Sequence, residues 1–157
     1  MKISQIVKFI ASLFLTLGFG AIAGFFNYPA IPEWYASLSK PVFNPPNWIF
    51  GPVWTSIYLI LGISLFLIWK TEPGKDRNLA ILLFGLQLLL NFCWSFIFFY
   101  FHLIGLAVIE IILLWISILI MLIQFHKIKP LAAYLNIAYL LWVTFATILN
   151  ASFYFLN

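Results

Sequence analysis

Cysteine and charged side chains are scarce in this sequence. The single cysteine, Cys93, excludes an intrachain disulfide framework and leaves no cysteine-rich metal motif, so we expect it to pack as a small apolar residue. Charged residues make up only 8% of the chain and include no paired carboxylates, no Ser/His/Asp arrangement and no phosphate-binding glycine loop. We therefore expect no metal site, no obligatory cofactor, and neither hydrolytic nor phosphoryl-transfer machinery.

Apolar residues dominate instead, at 65% of 157 positions, which suits a chain whose solvent is lipid. A bilayer core of about 30 Å takes about 20 helical residues per crossing, so the length accommodates five spans with short connections. Barrel strands alternate polar and apolar residues, whereas residues 111–120 are apolar except for Ser117. We predict an all-α membrane bundle of five helices, which forms a single domain over residues 1–157.

Hydropathy, charge and the positions of proline and glycine predict five spans. They lie near residues 6–26, 47–69, 78–101, 104–125 and 130–155. The only long connection, residues 27–46, contains five prolines as well as aromatic side chains. Prolines limit backbone freedom and aromatic rings supply apolar faces, so this connection is predicted to be an ordered lid over one end of the bundle. The alternative is that its aromatic rings only lie in the headgroup belt.

Basic residues set the expected orientation, because cytoplasmic connections are enriched in Lys and Arg. Only Lys40 falls at one membrane face; the other face collects Lys2, Lys8, Lys70, Lys75, Arg77, Lys127 and Lys129. This bias predicts a cytoplasmic N-terminus with the lid and C-terminus outside, in the plasma or inner membrane of a bacterium. His102 and His126 fall at opposite faces, so they cannot share a metal ion. The net charge is +4, but the basic residues form no face large enough to bind nucleic acid.

Two local features leave alternatives open. Pro52 either bends the second span one turn from its start or is the first helical residue after an irregular approach that ends at Gly51. Gly20 and Gly24 form a GxxxG pair, which permits close approach of another helix, either within the bundle or in a dimer.

Polar and aromatic residues recur at helical spacing in three spans. The stripes are Gln87, Asn91, Trp94 and Phe98 in the third span, Tyr139, Trp142, Ala146 and Asn150 in the fifth, and Trp54 with Tyr58 in the second. Unpaired polar groups are costly at membrane depth, so these stripes should face inward. One interpretation is hydrogen bonding between helices; the other is a shared aromatic pocket beneath the lid.

Glu110 is the one carboxylate within a predicted span. Charged groups at membrane depth are often functional. Three readings stay open for it: pairing with Asn, Gln or Ser, handling of a ligand or a proton, and exposure at the interface.

Several sequence blocks resemble the translocator protein (TspO/MBR) family, also called tryptophan-rich sensory proteins or peripheral-type benzodiazepine receptors. The blocks are residues 34–41 (WYASLSKP), 45–48 (PPNW), 51–54 (GPVW), 130–133 (PLAA) and 141–150 (LWVTFATILN). Gln87, Asn91 and Trp94 add to the match, which covers nearly the whole chain.

The resemblance implies a five-helix bundle, often dimeric, whose outward pocket binds porphyrins such as protoporphyrin IX and, in some members, cholesterol and synthetic drugs. Trp54 and Trp142 match paired tryptophans that support light-dependent porphyrin degradation in some bacterial relatives. Ala146 matches an alanine whose replacement by threonine alters drug affinity, Asn150 lies in the same pocket segment, and Glu110 matches an acidic position.

Two departures from the family pattern stand out. Leu106 stands where animal members have a pocket tryptophan, so one aromatic wall is missing. No Lys or Arg follows Leu149 and Tyr154, so the cholesterol-recognition pattern is incomplete.

The leading hypothesis is a membrane receptor or sensor that binds porphyrin, with sterol or drug-like molecules as further ligands. Light-dependent degradation of porphyrin is the enzymatic alternative, and transport ranks last because no inverted repeat is visible. The expected ligand-binding residues are Trp34, Tyr35, Pro45, Trp54, Tyr58, Gln87, Asn91, Trp94, Leu106, Glu110, Tyr139, Trp142, Ala146 and Asn150. Trp54 and Trp142 are also the expected catalytic pair if degradation occurs.

Overall fold

A computed structural model describes residues 3–157, so Lys2, which was counted in the charge bias, lies outside the described residues. The described chain is helical without a strand, and five of its helical stretches are long and apolar enough to cross a membrane. These stretches are Ile3–Tyr35, Asn47–Trp69, Lys75–Tyr100, Ile104–Ile128 and Pro130–Leu156. The predicted fold class is confirmed, and the chain is an integral, multi-pass membrane protein.

Six α-helices make up these stretches. They are α1 (Ile3–Asn27), α2 (Phe50–Trp69), α3 (Lys75–Ser95), α4 (Ile104–Ile128), α5 (Pro130–Leu135) and α6 (Ile137–Leu156). Short 3₁₀ and π-helical segments extend α1, α2 and α3. The break between α4 and α5 lies at Lys129, which is extended because the residue before a proline disfavours the helical conformation.

The first span is longer than predicted. After α1 the chain continues through a 3₁₀ turn, Tyr28–Ala30, and a π-helix, Ile31–Tyr35, so the predicted lid is helical over its first part. Pro29 and Pro32 each stand at the start of one of these segments, where a helix needs no N–H donor. The prolines therefore change the type of helix without ending it, and the irregular lid is confined to about residues 38–46.

The last span is broken at Asn136, which the sequence pattern did not predict. The Asn136 side chain is buried, and its Nδ2 donates to Ser64 Oγ at 2.7 Å and to the carbonyl of Ala132 at 2.8 Å. Its backbone (φ −90°, ψ 3°) leaves the α-helical region between α5 and α6. A buried amide that bonds to another helix thus fixes the short α5 against α2.

Two local alternatives are decided by the packing. Pro52 lies in the first turn of α2, after a 3₁₀ turn at Asn47–Ile49, so it interrupts no hydrogen bond deep in the helix. A Cβ at Gly20 would fall on the Tyr58 ring, so Gly20 allows α1 to approach α2 within the bundle. The Cβ position of Gly24, in contrast, has no atom within 4 Å.

Basic residues cluster at one end of the bundle. Lys8 lies near the start of α1, Lys70 follows α2, Lys75 begins α3, and Lys129 lies between α4 and α5. Lys8 Nζ also donates to the Trp69 carbonyl at 3.3 Å, which connects α1 to the end of α2. The lid lies at the opposite end.

Candidate ligand-binding site

A chamber of about 520 Å³ lies inside the lid end of the bundle. Its walls come from α1, α2, α3 with its π-helical extension, and α6. Aromatic residues supply eleven of the 25 lining residues, including Phe50, Trp54, Tyr58, Trp94, Phe98 and Trp142. The α1 wall differs, because it is built partly from Gly20, Ala21 and Gly24 and therefore lets the space extend to the helix backbone.

The indoles of Trp54 and Trp142 line this chamber from different helices. The Trp54 ring centroid lies 5.9 Å from that of Tyr58 and 6.4 Å from that of Trp94. The Trp142 ring lies 5.5 Å from Phe145 and 6.1 Å from Phe50. Neighbouring rings at such distances hold one another in place, so both indoles belong to packed aromatic walls.

A buried network of hydrogen bonds ties α2, α3 and α6 together beside the chamber. The Tyr58 hydroxyl donates to Asn91 Oδ1 at 2.6 Å, and Asn91 Nδ2 donates to the Tyr139 hydroxyl at 3.0 Å. The Tyr139 hydroxyl in turn donates to Gln87 Oε1 at 3.0 Å. Of these four residues only Tyr58 lines the chamber. Gln87, Asn91 and Tyr139 therefore act as links between helices.

A second polar contact lies in the chamber wall itself. Trp94 Nε1 donates to Asn150 Oδ1 at 2.9 Å, and Asn150 Nδ2 donates to the Ile104 carbonyl at 3.3 Å. Both amide atoms of Asn150 are thus already bonded within the protein. The Tyr58 proton is also committed, so the walls offer a ligand extended ring surfaces and few free polar groups.

The lid is fastened by specific hydrogen bonds. Tyr35 is 3% exposed, and its hydroxyl donates to Asn44 Oδ1 at 2.7 Å. The Ser39 amide donates to Asn157 Oδ1 at 2.8 Å, and Asn157 Nδ2 returns a bond to the Ser39 carbonyl at 3.1 Å. These bonds support the interpretation of an ordered lid over that of a loose aromatic belt.

Comparison with known proteins agrees with this architecture. The sequence profile described as the TspO/MBR family matches residues 11–156. The chain belongs to the TspO/MBR family. The chain is 37% identical to the tryptophan-rich protein TspO of Archaeoglobus fulgidus over 98% of this chain and 99% of that protein.

Animal and bacterial members of the TspO/MBR family also match over most of their length. Identity to the human translocator protein is 38%, over 75% of this chain and 71% of that protein. Identity to the tryptophan-rich sensory protein of Cereibacter sphaeroides is 32%, over 75% of this chain and 73% of that protein.

Seven of the fourteen ligand-binding residues expected in this TspO/MBR chain line the chamber. They are Tyr35, Trp54, Tyr58, Trp94, Trp142, Ala146 and Asn150. The other seven do not: Trp34, Pro45, Gln87, Asn91, Leu106, Glu110 and Tyr139. The three network residues among them are explained by their hydrogen bonds to other helices.

Trp34 and Pro45 lie in the lid region without reaching the chamber. The Trp34 ring stacks on His102, with centroids 4.2 Å apart and planes 10° apart. The Pro45 carbonyl accepts a hydrogen bond from Asn44 Nδ2 at 3.1 Å, which stabilises the lid internally. Of the aromatic residues in the predicted lid, Tyr28 and Tyr35 line the chamber.

Leu106 and Glu110 of α4 also lie outside the chamber. Leu106 is 49% exposed on the lipid-facing side, because the inward face of α4 is formed by residues such as Ala107, Ile111 and Leu114. Glu110 is 7% exposed, and neither carboxylate oxygen has a hydrogen-bond partner within residues 3–157. Glu110 is therefore neither exposed at the interface nor paired with Asn, Gln or Ser.

The small residues of α1 are the part of the chamber that the sequence interpretation missed. Gly20, Ala21 and Gly24 line it, and Asn27 lies at its edge. The GxxxG pair was recognised as a helix contact, which is correct for Gly20 only. The open space at Gly24 could have been suspected from the pair, but small side chains do not distinguish a helix contact from a cavity wall.

Proposed function

We propose that this TspO/MBR protein is a membrane receptor that binds a porphyrin-type tetrapyrrole in the chamber. The observation that carries the proposal is the placement of two indoles, Trp54 and Trp142, from different helices on one chamber that is rich in aromatic side chains. Its volume of about 520 Å³ falls within the range of roughly 300–1,000 Å³ that is typical of small-molecule sites.

The chemistry of the walls favours a flat aromatic ring over other apolar ligands. Aromatic side chains pair with a π-system through stacked or edge-on contacts, in addition to excluding water. A sterol offers an apolar surface without a π-face, and the cholesterol-recognition pattern is incomplete near Tyr154. The positive-inside rule places the basic end of the bundle in the cytoplasm, so we propose that the chamber opens toward the outer side.

Titration of the purified full chain with protoporphyrin IX tests this function. We expect saturable quenching of tryptophan fluorescence and a shift of the porphyrin Soret band, because the ring would lie beside the indoles.

Gly24→Leu should weaken binding about tenfold or more by occupying the chamber, equivalent to ~1.4 kcal/mol. Gly18→Leu is the matched control, since Gly18 lies on the same helix with equally open space and does not line the chamber.

Two results would contradict the receptor function. The absence of quenching and of a Soret shift in the wild-type chain would show that the chain does not bind porphyrin. Equal affinity of Gly24→Leu and Gly18→Leu would place the ring outside the chamber.

Light-dependent degradation of the bound porphyrin is the second candidate function. It is favoured by the aromatic surroundings of Trp54, whose ring lies within 6.5 Å of Tyr58, Trp94 and Tyr139. An indole beside a light-excited ring can donate an electron to it. The reduced ring then adds dioxygen, and the oxidised indole recovers its electron from this adduct, so that the net change is oxidation of the porphyrin by dioxygen.

Illumination of the complex in air tests the second candidate. We expect Trp142→Phe to slow loss of the Soret band about tenfold while it keeps the aromatic wall. Trp115→Phe is the control, because Trp115 bonds Thr144 at 2.7 Å and does not line the chamber. Equal pigment loss in all three proteins would indicate ordinary photobleaching.

A further inference from the structure

A second cavity of about 690 Å³ lies on the outer surface of the bundle, beside the chamber. It lies between the lid end of α1 and the π-helix that extends α3, Phe96–Tyr100. We call it the α1–α3 groove. The residues that line it without lining the chamber are Phe25, Phe26, Pro29, Ala30, Glu33, Trp34, Tyr100 and His102. The groove is more open than the chamber.

The groove and the chamber share a thin partition. Ala21, Gly24, Tyr28 and Phe99 line both cavities. Ala21 and Gly24 contribute almost no side-chain volume, and a Cβ at Gly24 would have no atom within 4 Å. The rings of Tyr28 and Phe99 therefore provide most of the bulk between the two spaces.

The two rings are held to different degrees. Phe99 packs against Trp34, Tyr35, Trp94 and Phe98, with ring centroids between 4.9 and 6.5 Å apart. Tyr28 is 74% exposed and makes no aromatic pair or side-chain hydrogen bond within residues 3–157. It begins the 3₁₀ turn Tyr28–Ala30, a helix type with less favourable hydrogen-bond geometry than an α-helix. Tyr28 is therefore the side of the partition that can move aside at low cost.

The route beneath the lid is held closed by hydrogen bonds. These are the Tyr35–Asn44 bond and the paired bonds between Ser39 and Asn157. On the α1–α2 side, Gly20 packs against Tyr58, whose hydroxyl is fixed on Asn91, while Gly51 and Thr55 line the chamber nearer the lid and are exposed.

We propose that the α1–α3 groove is the lateral entrance of the chamber. A flat apolar ligand dissolved in the lipid binds in the groove and passes between Tyr28 and Phe99 into the chamber. Such a ligand concentrates in the bilayer, so this route avoids the hydrogen bonds of the lid. The proposal rests on the proposed porphyrin-binding function and assigns the route to that same site.

The route is tested by stopped-flow kinetics of protoporphyrin IX binding to the full chain in phosphatidylcholine nanodiscs. The Soret shift reports association and dissociation. Ala30→Phe fills the groove without lining the chamber, so we expect it to slow association and dissociation together, each about tenfold. Tyr28→Ala removes a gate ring and is expected to accelerate both rates. Asn157→Ala releases the lid from the end of α6 and should leave both rates unchanged, because the ligand does not pass beneath the lid.

Each outcome separates the route from the function. Wild-type rates in both Ala30→Phe and Tyr28→Ala would overturn the lateral entrance, as would acceleration by Asn157→Ala alone, which would place the route beneath the lid. Equilibrium titration of the wild-type chain with protoporphyrin IX is done first. If the wild-type chain does not bind, the proposed function is wrong. If it binds but the variants keep wild-type rates, only the proposed route is wrong. Tyr28→Ala keeps the test decisive if Ala30→Phe does not fold.

Discussion

Replacement of both Trp54 and Trp142 by alanine is expected to abolish porphyrin binding at micromolar protein. Truncation of a central aromatic contact costs about 2 kcal/mol in a binding site, so two such losses lower affinity on the order of 1,000-fold. The reason is geometric, since the two indoles belong to α2 and α6 and line one chamber from different helices. The Soret shift is the appropriate readout, because it does not depend on the fluorescence of the removed tryptophans.

Trp48→Ala is the control for this pair. Trp48 is 74% exposed, near the start of α2, and does not line the chamber, so its loss removes an indole without altering the walls. Wild-type affinity is expected for this variant. A double variant that binds porphyrin as tightly as Trp48→Ala would show that the indoles do not contact the ring.

Asn91→Leu is expected to lower the free energy of unfolding by about 2 kcal/mol. The substitution keeps a side chain of similar size but removes two hydrogen bonds, the one accepted from Tyr58 and the one donated to Tyr139. Each interhelical bond contributes about 0.6 kcal/mol in a membrane protein, and the Tyr58 hydroxyl left without its acceptor adds a desolvation cost of about 1 kcal/mol. Reversible unfolding in mixed detergent micelles measures the change.

A control for the stability experiment lies on α6. Ser152 donates to the Ile148 carbonyl at 2.9 Å on the exposed side of α6. Ser152→Ala should therefore change the free energy of unfolding by only a few tenths of a kcal/mol. Equal stability of Asn91→Leu and Ser152→Ala would show that the buried network does not hold α2, α3 and α6 together.

Most of the fold follows from the sequence because the bilayer leaves few choices. Lipid requires that every backbone group be bonded within a helix, and the length of each apolar run then sets the number of crossings. Details at the helix ends depended on tertiary contacts instead. The break at Asn136 arises from a bond to Ser64 on α2, more than seventy positions earlier in the chain, which local periodicity does not reveal.

The site was predictable where side chains carry a strong signal and not elsewhere. Trp54, Trp94 and Trp142 line the chamber, and they could be singled out because large aromatic residues repeat along one face of their helices. Leu106 is 49% exposed, and only the resemblance to animal family members had suggested a place in the pocket. Helix α4 is apolar on nearly every face, so periodicity does not decide where Leu106 points. The glycine wall of α1 was missed, since the absence of a side chain leaves no pattern to read.

Position along α3 separates the residue that lines the chamber from those that only connect helices. Gln87, Asn91 and Trp94 lie on one stripe of α3, yet only Trp94 lines the chamber. Both amides make hydrogen bonds to other helices: Asn91 accepts from Tyr58 and donates to Tyr139, and Gln87 Oε1 accepts from Tyr139. A stripe of mixed polar and aromatic residues therefore indicates the inward face of a helix, while the choice between pocket and network depends on the opposing helices.

A crystal structure of the full chain with protoporphyrin IX would show directly whether the ring lies between the two indoles. We expect the ring inside the chamber, in contact with the indoles of Trp54 and Trp142, with Tyr35 above it. Porphyrin density on the lipid-facing surface, with both indoles free of contact and the chamber empty, would contradict this expectation.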